Sequence, residues 1–386
     1  MPQTTDTERR ASGRRALVMC YSPVRDDARV SKQIRWLEAA GYVVDVLSRG
    51  PEHPDATGRA LRISEPTSRL HLRTLALLPL PARFRGTIER YIPTDELASE
   101  EYDLVVVNDH HLLPWVVKAA PRFARGPVVL DLHELYADNG VGLVHRFVYG
   151  RWDSWLLTFI SSPVFTHHMT VADGIADIYH DDYGLPRPTV IRNVASYEPL
   201  EPSSVDPDRI VLVHHGYAAV ERGIDIMLDA ALLLEPRFEV TLMVLSTSSL
   251  SSLRAHPAIT SGRVTFREPV GVLDVARTLN EFDLEMIFFP PRFPNNAHAL
   301  PNKFFEAIQG RLGIVVGESP EIVPFVREYG LGVVVEGWTA ADLAATINSL
   351  TVEQITAMKR ASARAAEELS AESEGKRFLA AVRQEA

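Results

Sequence analysis

This sequence of 386 residues predicts an α/β fold of two doubly wound halves, on three observations. Apolar runs of strand length alternate with stretches of helical spacing, the pattern of a parallel sheet covered by helices on both faces. The pattern runs twice, with a break at Ser196–Asp208, which is rich in Pro, Ser, Glu and Asp and lacks apolar periodicity. Length alone also asks for two domains.

The first half reads in order as strand Ala16–Cys20, helix Val30–Ala40 stopped by Gly41, and strand Tyr42–Leu47. Strand Asp103–Asn108, helix Leu112–Ala120 and strands Pro127–Asp131, His168–Ala172 and Thr189–Arg192 complete it. The strands of the second half are Ile210–His214, Phe238–Leu245, Val264–Phe266, Leu284–Phe288, Gly313–Val316 and Gly332–Val335. Ser319 is expected to cap a helix opened by Ser319-Pro320-Glu321, and Thr339-Ala340-Ala341-Asp342 has the form of a capping box. Val352–Glu385, rich in Ala, Glu, Arg and Lys, is expected to be helical. The polar residues 1–14 are expected to be a disordered tail. The expected division is therefore tail 1–14, first domain 15–195, linker 196–208, second domain 209–365 and final helix 366–386.

Composition bounds the partners. An apolar share of 46% is ordinary for a globular protein, and a net charge of -10 argues against nucleic acid. The single cysteine, Cys20, excludes an internal disulfide and a cysteine-based zinc site, and its place in an apolar run predicts a buried thiol. No apolar stretch of signal-peptide type follows Arg9, Arg10, Arg14 and Arg15, and no run of membrane-spanning length occurs, so cytoplasmic residence is the expectation. His71–Tyr91 mixes apolar residues with Arg73, Arg83, Arg85 and Arg90, and Trp152–Phe165 adds Trp155, Leu156, Leu157, Phe159 and Ile160. Such a mixture suits a peripheral contact with the inner face of the cell membrane, a partner surface or plain core. Pro79 and Pro81 forbid one continuous helix there.

In doubly wound folds ligands bind outside the carboxyl ends of the strands, and the cleft between two facing halves is the default site. The stretch Phe288–Gly310 reads as a strand end, a Pro/Asn-rich loop containing His298 and Leu300, and a helix begun by Pro301 and ended by Gly310. The N–H groups of Asn302 and its neighbours at that helix start suit a phosphate. Lys303 in the first turn is disfavoured by the helix dipole unless an anion joins it, and Glu306 lies one turn on, within reach of ligand hydroxyls. Phosphate and sugar hydroxyls together suggest a nucleotide sugar.

Other polar clusters also end strands. Gly216-Tyr217 and Arg222-Gly223 follow the first strand of the second half, where glycine admits a phosphate to the backbone and Arg222 offers a planar, permanent charge. Asp131-Leu132-His133-Glu134 and Asn108-Asp109-His110-His111 end strands of the first half. Adjacent histidines rarely point at one ion and no HxxxH or CxxC spacing occurs, so Asp109 and His110 read as a polar wall and no metal is expected. In the loop after the first strand, Arg25 and Arg29 suit either an anionic acceptor or an ion pair with Asp26 or Asp27. The loop is not a GxGxxG, which weakens a dinucleotide dehydrogenase reading.

Six of these tracts resemble, in the right order, landmarks of the GT-B glycosyltransferases of the large retaining family four (group 1). They are Asp27-Ala28-Arg29-Val30, Asp131-Leu132-His133-Glu134, Val171-Ala172-Asp173-Gly174, Ile191-Arg192-Asn193-Val194, Gly216 to Gly223, and Pro301-Asn302-Lys303-Phe304-Phe305-Glu306 with Ala307 and Gly310. The similarity runs from about Ala16 to Leu350. It implies two Rossmann-like domains facing a cleft and a final helix that crosses back to the first. It implies that Glu306 holds the ribose, that Arg222 neutralises the leaving diphosphate, and that His133 sits beside the donor sugar. The family's commoner arginine is replaced by Tyr217, and His298 stands where the family usually has a glutamate on the donor sugar.

The activity so implied is metal-independent hexosyl transfer from a nucleotide-diphosphate sugar, used as co-substrate with no other cofactor, to a glycan, lipid or small-molecule acceptor with retained configuration. Arg222, Lys303 and the helix start at Pro301–Asn302 would stabilise the diphosphate as charge grows on it, while the donor carbon becomes oxocarbenium-like. With no carboxylate nucleophile apparent, the acceptor would attack from the leaving-group face. The alternatives are a nucleotide-sugar 2-epimerase of the same form and a non-catalytic nucleotide-sugar-binding scaffold.

Overall fold

Strands buried on both faces read as near-continuous apolar runs, and such runs build two all-parallel sheets here. The computed structural model describes residues 13–50, 56–64, 78–136, 150–217, 222–245, 253–292 and 294–383. Residues 1–12 of the expected tail, 71–77 of the basic and apolar segment, 218–221 of the glycine loop, 293 and 384–386 lie outside the described residues.

The first sheet comprises β1 (Arg14–Pro23), β2 (Tyr42–Arg49), β3 (Ala60–Arg62), β4 (Leu104–Asn108), β5 (Val128–Asp131), β6 (His167–Thr170) and β7 (Thr189–Val190), in the order β3-β2-β1-β4-β5-β6-β7. The second comprises β8 (Ile210–Tyr217), β9 (Phe238–Leu245), β10 (Val264–Phe266), β11 (Leu284–Ile287), β12 (Gly313–Val316) and β13 (Gly332–Val334), in the order β10-β9-β8-β11-β12-β13. In each sheet the order reverses beside the first strand, between β1 and β4 and between β8 and β11. These are the switch points where doubly wound folds bind ligands.

By contacts the chain divides into one unit running to Ile191 and resuming at Gly375, and a second spanning Arg192–Glu374. In the first, Val18, Val46, Val106, Val129 and Ile34 share a core with Phe378. Phe378 meets Trp36 at 5.5 Å between ring centroids. Gly375 is required beside it, because a Cβ there would sit 2.6 Å from Trp36 Nε1. In the second unit Leu212, Val240, Met286, Val315, Leu228 and Ile347 form the core. The segment Ser196–Asp208 is strapped onto this unit: Glu198 N–H donates to Gln309 Oε1 at 3.1 Å, and Ser203 Oγ donates to Asn280 O at 2.7 Å.

Three expectations are corrected. The edge strand β3 lies outside every apolar run of the sequence. Ser319 does not cap a helix through its side chain: its Oγ is buried with no partner among the described residues, and the helix is Val323–Tyr329. The final helical stretch is two helices, Val352–Ala365 and Ala371–Arg383. Gln309 Nε2 takes the carbonyls of Ala366 at 2.7 Å and Leu369 at 3.1 Å, drawing the backbone out of one continuous helix. The Thr339 capping box forms, with Asp342 as its reciprocal partner.

Several apolar side chains of the two mixed segments belong to the core. Phe84, Trp152, Leu156, Leu157 and Ile160 are buried, and Phe84 packs on Trp152 and Trp155. No helix of the described residues is long and apolar enough to cross a membrane.

Candidate active site

In the second unit the site is built at the ends of β8 and β11 and at the start of the helix Asn302–Gln309. Pro301 enters that helix extended (φ -76, ψ 149) and offers no side-chain cap, so the first-turn N–H groups keep their capacity for a ligand. Leu300 just before it is buried. The far end is closed by Arg311, which adopts φ 62 and whose guanidinium donates to the carbonyls of Ile308 at 3.1 Å and Gln309 at 2.8 Å.

Lys303 is 5% exposed. Its Nζ lies 3.2 Å from His214 Nε2 and 5.1 Å from the centre of the Phe289 ring. His214 donates through Nδ1 to Met286 O at 2.8 Å, which leaves Nε2 as the acceptor for the ammonium. Burial, followed by the Lys303 charge, pushes the His214 pKa well below the usual histidine value. Burial also draws Lys303 down to about 8, with the nearby Glu285 opposing and Arg222 assisting. An ammonium held in this way becomes fully charged when an anion arrives.

Gly216 has φ 89 and lies against that lysine: a Cβ there would stand 3.8 Å from Lys303 Cε. The Arg222 guanidinium lies 5.7 Å from the Tyr217 ring centre and 5.6 Å from that of Phe289. Tyr217 is half exposed. Gly223 fixes where Arg222 sits. It adopts φ 73, and a Cβ would fall 2.5 Å from Phe288 O and 2.7 Å from Pro290 Cδ. Gly223→Ala is therefore expected to destabilise the fold by roughly 1–3 kcal/mol, checked by the denaturant midpoint.

Beside the lysine lies a triad that the apolar strand runs conceal. His215 Nδ1 is 2.9 Å from Glu285 Oε2, and its Nε2 is 2.9 Å from Glu306 Oε2. Glu285 is fully buried and Glu306 is 21% exposed. Burial opposes a charge on this imidazole, but the two carboxylates outweigh it and raise its pKa to about 9. His215 is thus an imidazolium donating to both, and it fixes the direction in which Glu306 presents its carboxylate. His298 Nδ1 meets the nearly buried Glu321 Oε1 at 3.1 Å. A carboxylate thus stands behind the histidine that occupies the place of the family's glutamate.

In the first unit β1, β4 and β5 are neighbours, so Tyr21, the tract Asp109–His111 and His133 are delivered to one end of the sheet. They line a pocket of about 540 Å³ with Trp152 and Asp153 among its walls. Asp109 adopts φ 70, a left-handed conformation that aspartate tolerates better than most residues. Its Oδ1 accepts from Tyr136 Oη at 2.8 Å and stands 3.1 Å from His133 Nε2. That carboxylate thus faces the Nε2 edge of the His133 ring; Nδ1 is buried and has no partner among the described residues. His110 Nε2 meets Asp153 Oδ1 at 3.1 Å. His111 stacks on Tyr21 at 5.1 Å, and burial, with the neighbouring His110, pulls its pKa down to about 4.

Asp109, His110 and His133 are thus brought together, as are Gly216, Tyr217, Arg222, Lys303 and Glu306 in the other unit. Arg29 does not join them as an anion contact. It is 4% exposed, and its guanidinium makes a two-point pair with Asp131 at 2.7 and 2.8 Å and donates to Ile191 O at 2.6 Å. Gln33 Nε2 donates to the same carboxylate and Asn108 Nδ2 donates to Gln33, so this is a buried network, and none of its members lines the pocket. The ion-pair partner is Asp131; Asp27 instead caps the helix Ala28–Ala39 through the N–H groups of Arg29 and Val30. Arg25 is exposed in a short turn and is not among the residues lining the pocket.

Two parallel doubly wound sheets with these strand orders make the GT-B fold. Among solved structures the chain is similar to sucrose-phosphate synthase from Thermosynechococcus elongatus, with a TM-score of 0.72 at 14% identity over 96% of this chain and 98% of that one. It is similar to Anabaena HepE in complex with UDP-glucose, with a TM-score of 0.68 at 15% identity over 96% of this chain and 99% of that one. It is also similar to WaaG, a glycosyltransferase involved in lipopolysaccharide biosynthesis, with a TM-score of 0.66 at 14% identity over 95% and 99% of the two chains. No curated protein sequence matches. Residues 27–193 match the family model of the glycosyl transferase 4-like domain. The first unit thus carries a glycosyl transferase 4-like domain, in a chain of the GT-B fold.

Proposed function

We propose that the second unit binds a nucleotide-diphosphate sugar and that the protein transfers the sugar, without a metal and with retained configuration, to a hydroxyl of an acceptor bound in the first unit. The observation behind this reading is the pairing, within one helical turn, of a buried lysine at the helix start with a carboxylate oriented by an imidazolium. Lys303 and Arg222 supply the positive charge that a diphosphate needs, and Gly216 admits it to the backbone. Glu306, steadied by His215, accepts hydrogen bonds from ribose hydroxyls. HepE, whose structures hold UDP and UDP-glucose, shares this fold and supports the donor class.

Charge growing on the leaving diphosphate is met by groups already in place, so no reorganisation is needed at the transition state. The acceptor attacks from the leaving-group face, and its proton passes to a diphosphate oxygen. His298, with Nδ1–H given to Glu321, keeps Nε2 as an acceptor for a hydroxyl of the donor sugar.

The test is Glu306→Gln. Loss of a charge-assisted bond costs about 1.5–3 kcal/mol, so affinity for nucleoside diphosphates falls roughly 10- to 150-fold while the unfolding midpoint holds. Calorimetric titration across a nucleotide panel checks it, and a variant that binds every nucleotide as well as wild type removes Glu306 from the ribose. Tight donor binding with neither transfer nor donor hydrolysis in the wild type would favour the scaffold.

A further inference from the structure

We propose that the pocket of the first unit takes an uncharged, polyhydroxylated acceptor, a sugar without a phosphate or carboxylate, and discriminates against its phosphorylated form. This rests on the reading of the first unit as the acceptor side.

The described residues of the pocket include four carboxylates, Asp27, Asp109, Glu134 and Asp153, against one arginine, Arg83. The arginine that the sequence offered for an anion, Arg29, is consumed by Asp131 and Ile191 O and does not line the pocket. Arg83 lies with its guanidinium 4.5 Å from the Trp152 ring centre. The histidines offer an anion no free partner: His111 is held neutral at ordinary pH, and His110 and His133 each face one of the aspartates already counted. An anionic group entering here meets like charges on several sides, which costs more in a partly enclosed pocket than in water.

For hydroxyl groups the same wall is favourable. A carboxylate accepts from a hydroxyl, and an imidazole N–H donates to one. The exposed Glu134 carboxylate has no partner among the described residues, while Asp109 and Asp153 are already oriented by Tyr136, His133 and His110. His110 is 3% exposed, and its Nδ1 has no partner among the described residues. Tyr21, Tyr136 and Trp152 supply the apolar wall that a sugar ring packs against. A volume of about 540 Å³ falls within the range of small-molecule pockets, roughly 300–1,000 Å³.

The experiment uses the full chain and follows the imidazole signals of His110, His111 and His133 by NMR. They are titrated with a panel of neutral hexosides and disaccharides, methyl glucoside and maltose among them, each beside its phosphorylated counterpart. Neutral members are expected to shift these signals at concentrations at least tenfold lower than the phosphorylated ones. Glu134→Lys is expected to bring the ratio at least threefold closer to parity. The proposal is overturned if a phosphorylated member binds as well as or better than its neutral partner, or if no neutral sugar moves the signals. Nucleoside diphosphate added to the same samples reports on the second unit, so the donor reading fails or stands separately.

Discussion

Lys303→Met lowers kcat by about 10²–10³-fold at pH 7, and Arg222→Ala by about 10²-fold, with smaller effects on donor affinity. On the proposed mechanism both cations act on charge that is greatest when the sugar–phosphate bond is breaking, so turnover is where their loss is expected to be felt. Steady-state kinetics with a competent donor decide it: a raised KM with unchanged kcat would mean that the two cations bind ground state and transition state alike. The pH dependence follows from burial. Burial draws the Lys303 pKa down to about 8 in the free protein, so kcat/KM falls as pH rises through that value and the ammonium is lost. His215, raised to about 9, loses its proton next and releases Glu306, which deepens the fall. Arg222 stays charged throughout and sets the residual rate. A bound diphosphate raises the lysine pKa, so kcat at saturating donor keeps its value to higher pH than kcat/KM does. Identical profiles for both would remove Lys303 from the diphosphate.

His133→Ala abolishes detectable transfer, a loss of about 10²-fold or more, while nucleoside diphosphate binding to the second unit is unchanged. The imidazole lines the pocket with Nε2 3.1 Å from the Asp109 carboxylate, so a hydroxyl arriving there meets an imidazole and a carboxylate together. Asp109→Asn keeps the shape and the left-handed turn but removes the charge beside Nε2; its effect is expected in the same step, and smaller. Full transfer by His133→Ala across a donor panel would remove the residue from the reaction.

Much of this architecture is legible in the chain because parallel strands are apolar throughout. Phe238–Leu245, Val264–Phe266 and Gly313–Val316 are strands at the bounds their apolar runs suggest. β3 escapes because Leu61 is its one buried residue, too little for a pattern. The break at Ala366–Ser370 escapes because its one local signal is Ser370, whose Oγ accepts from Ser373 N–H at the start of the next helix, and because Gln309, which takes two of the freed carbonyls, lies almost sixty positions away in the chain. Lys303 and Glu306 are visible as the two charged residues of the helix Asn302–Gln309. His215 and Glu285 are hidden by their strands, although a charge inside the run Leu284–Phe288 is itself a signal, since a buried carboxylate requires a partner. Arg29 shows the opposite limit. Its type suits an anion, and only the fold reveals that the anion is Asp131.

The tandem histidines of β8 have a consequence for how that strand finds its place in the sheet. Successive side chains point to opposite faces, and the two rings are held in opposite states, one neutral against Lys303 and one cationic between Glu285 and Glu306. Sliding the strand by one position either puts Val213 where His214 stands, leaving the ammonium without its acceptor, or puts Gly216 where His215 stands, leaving two carboxylates with no cation between them. Either error strands a charge in the interior. Register along β8 is thus policed by electrostatics as well as by the fit of its apolar residues.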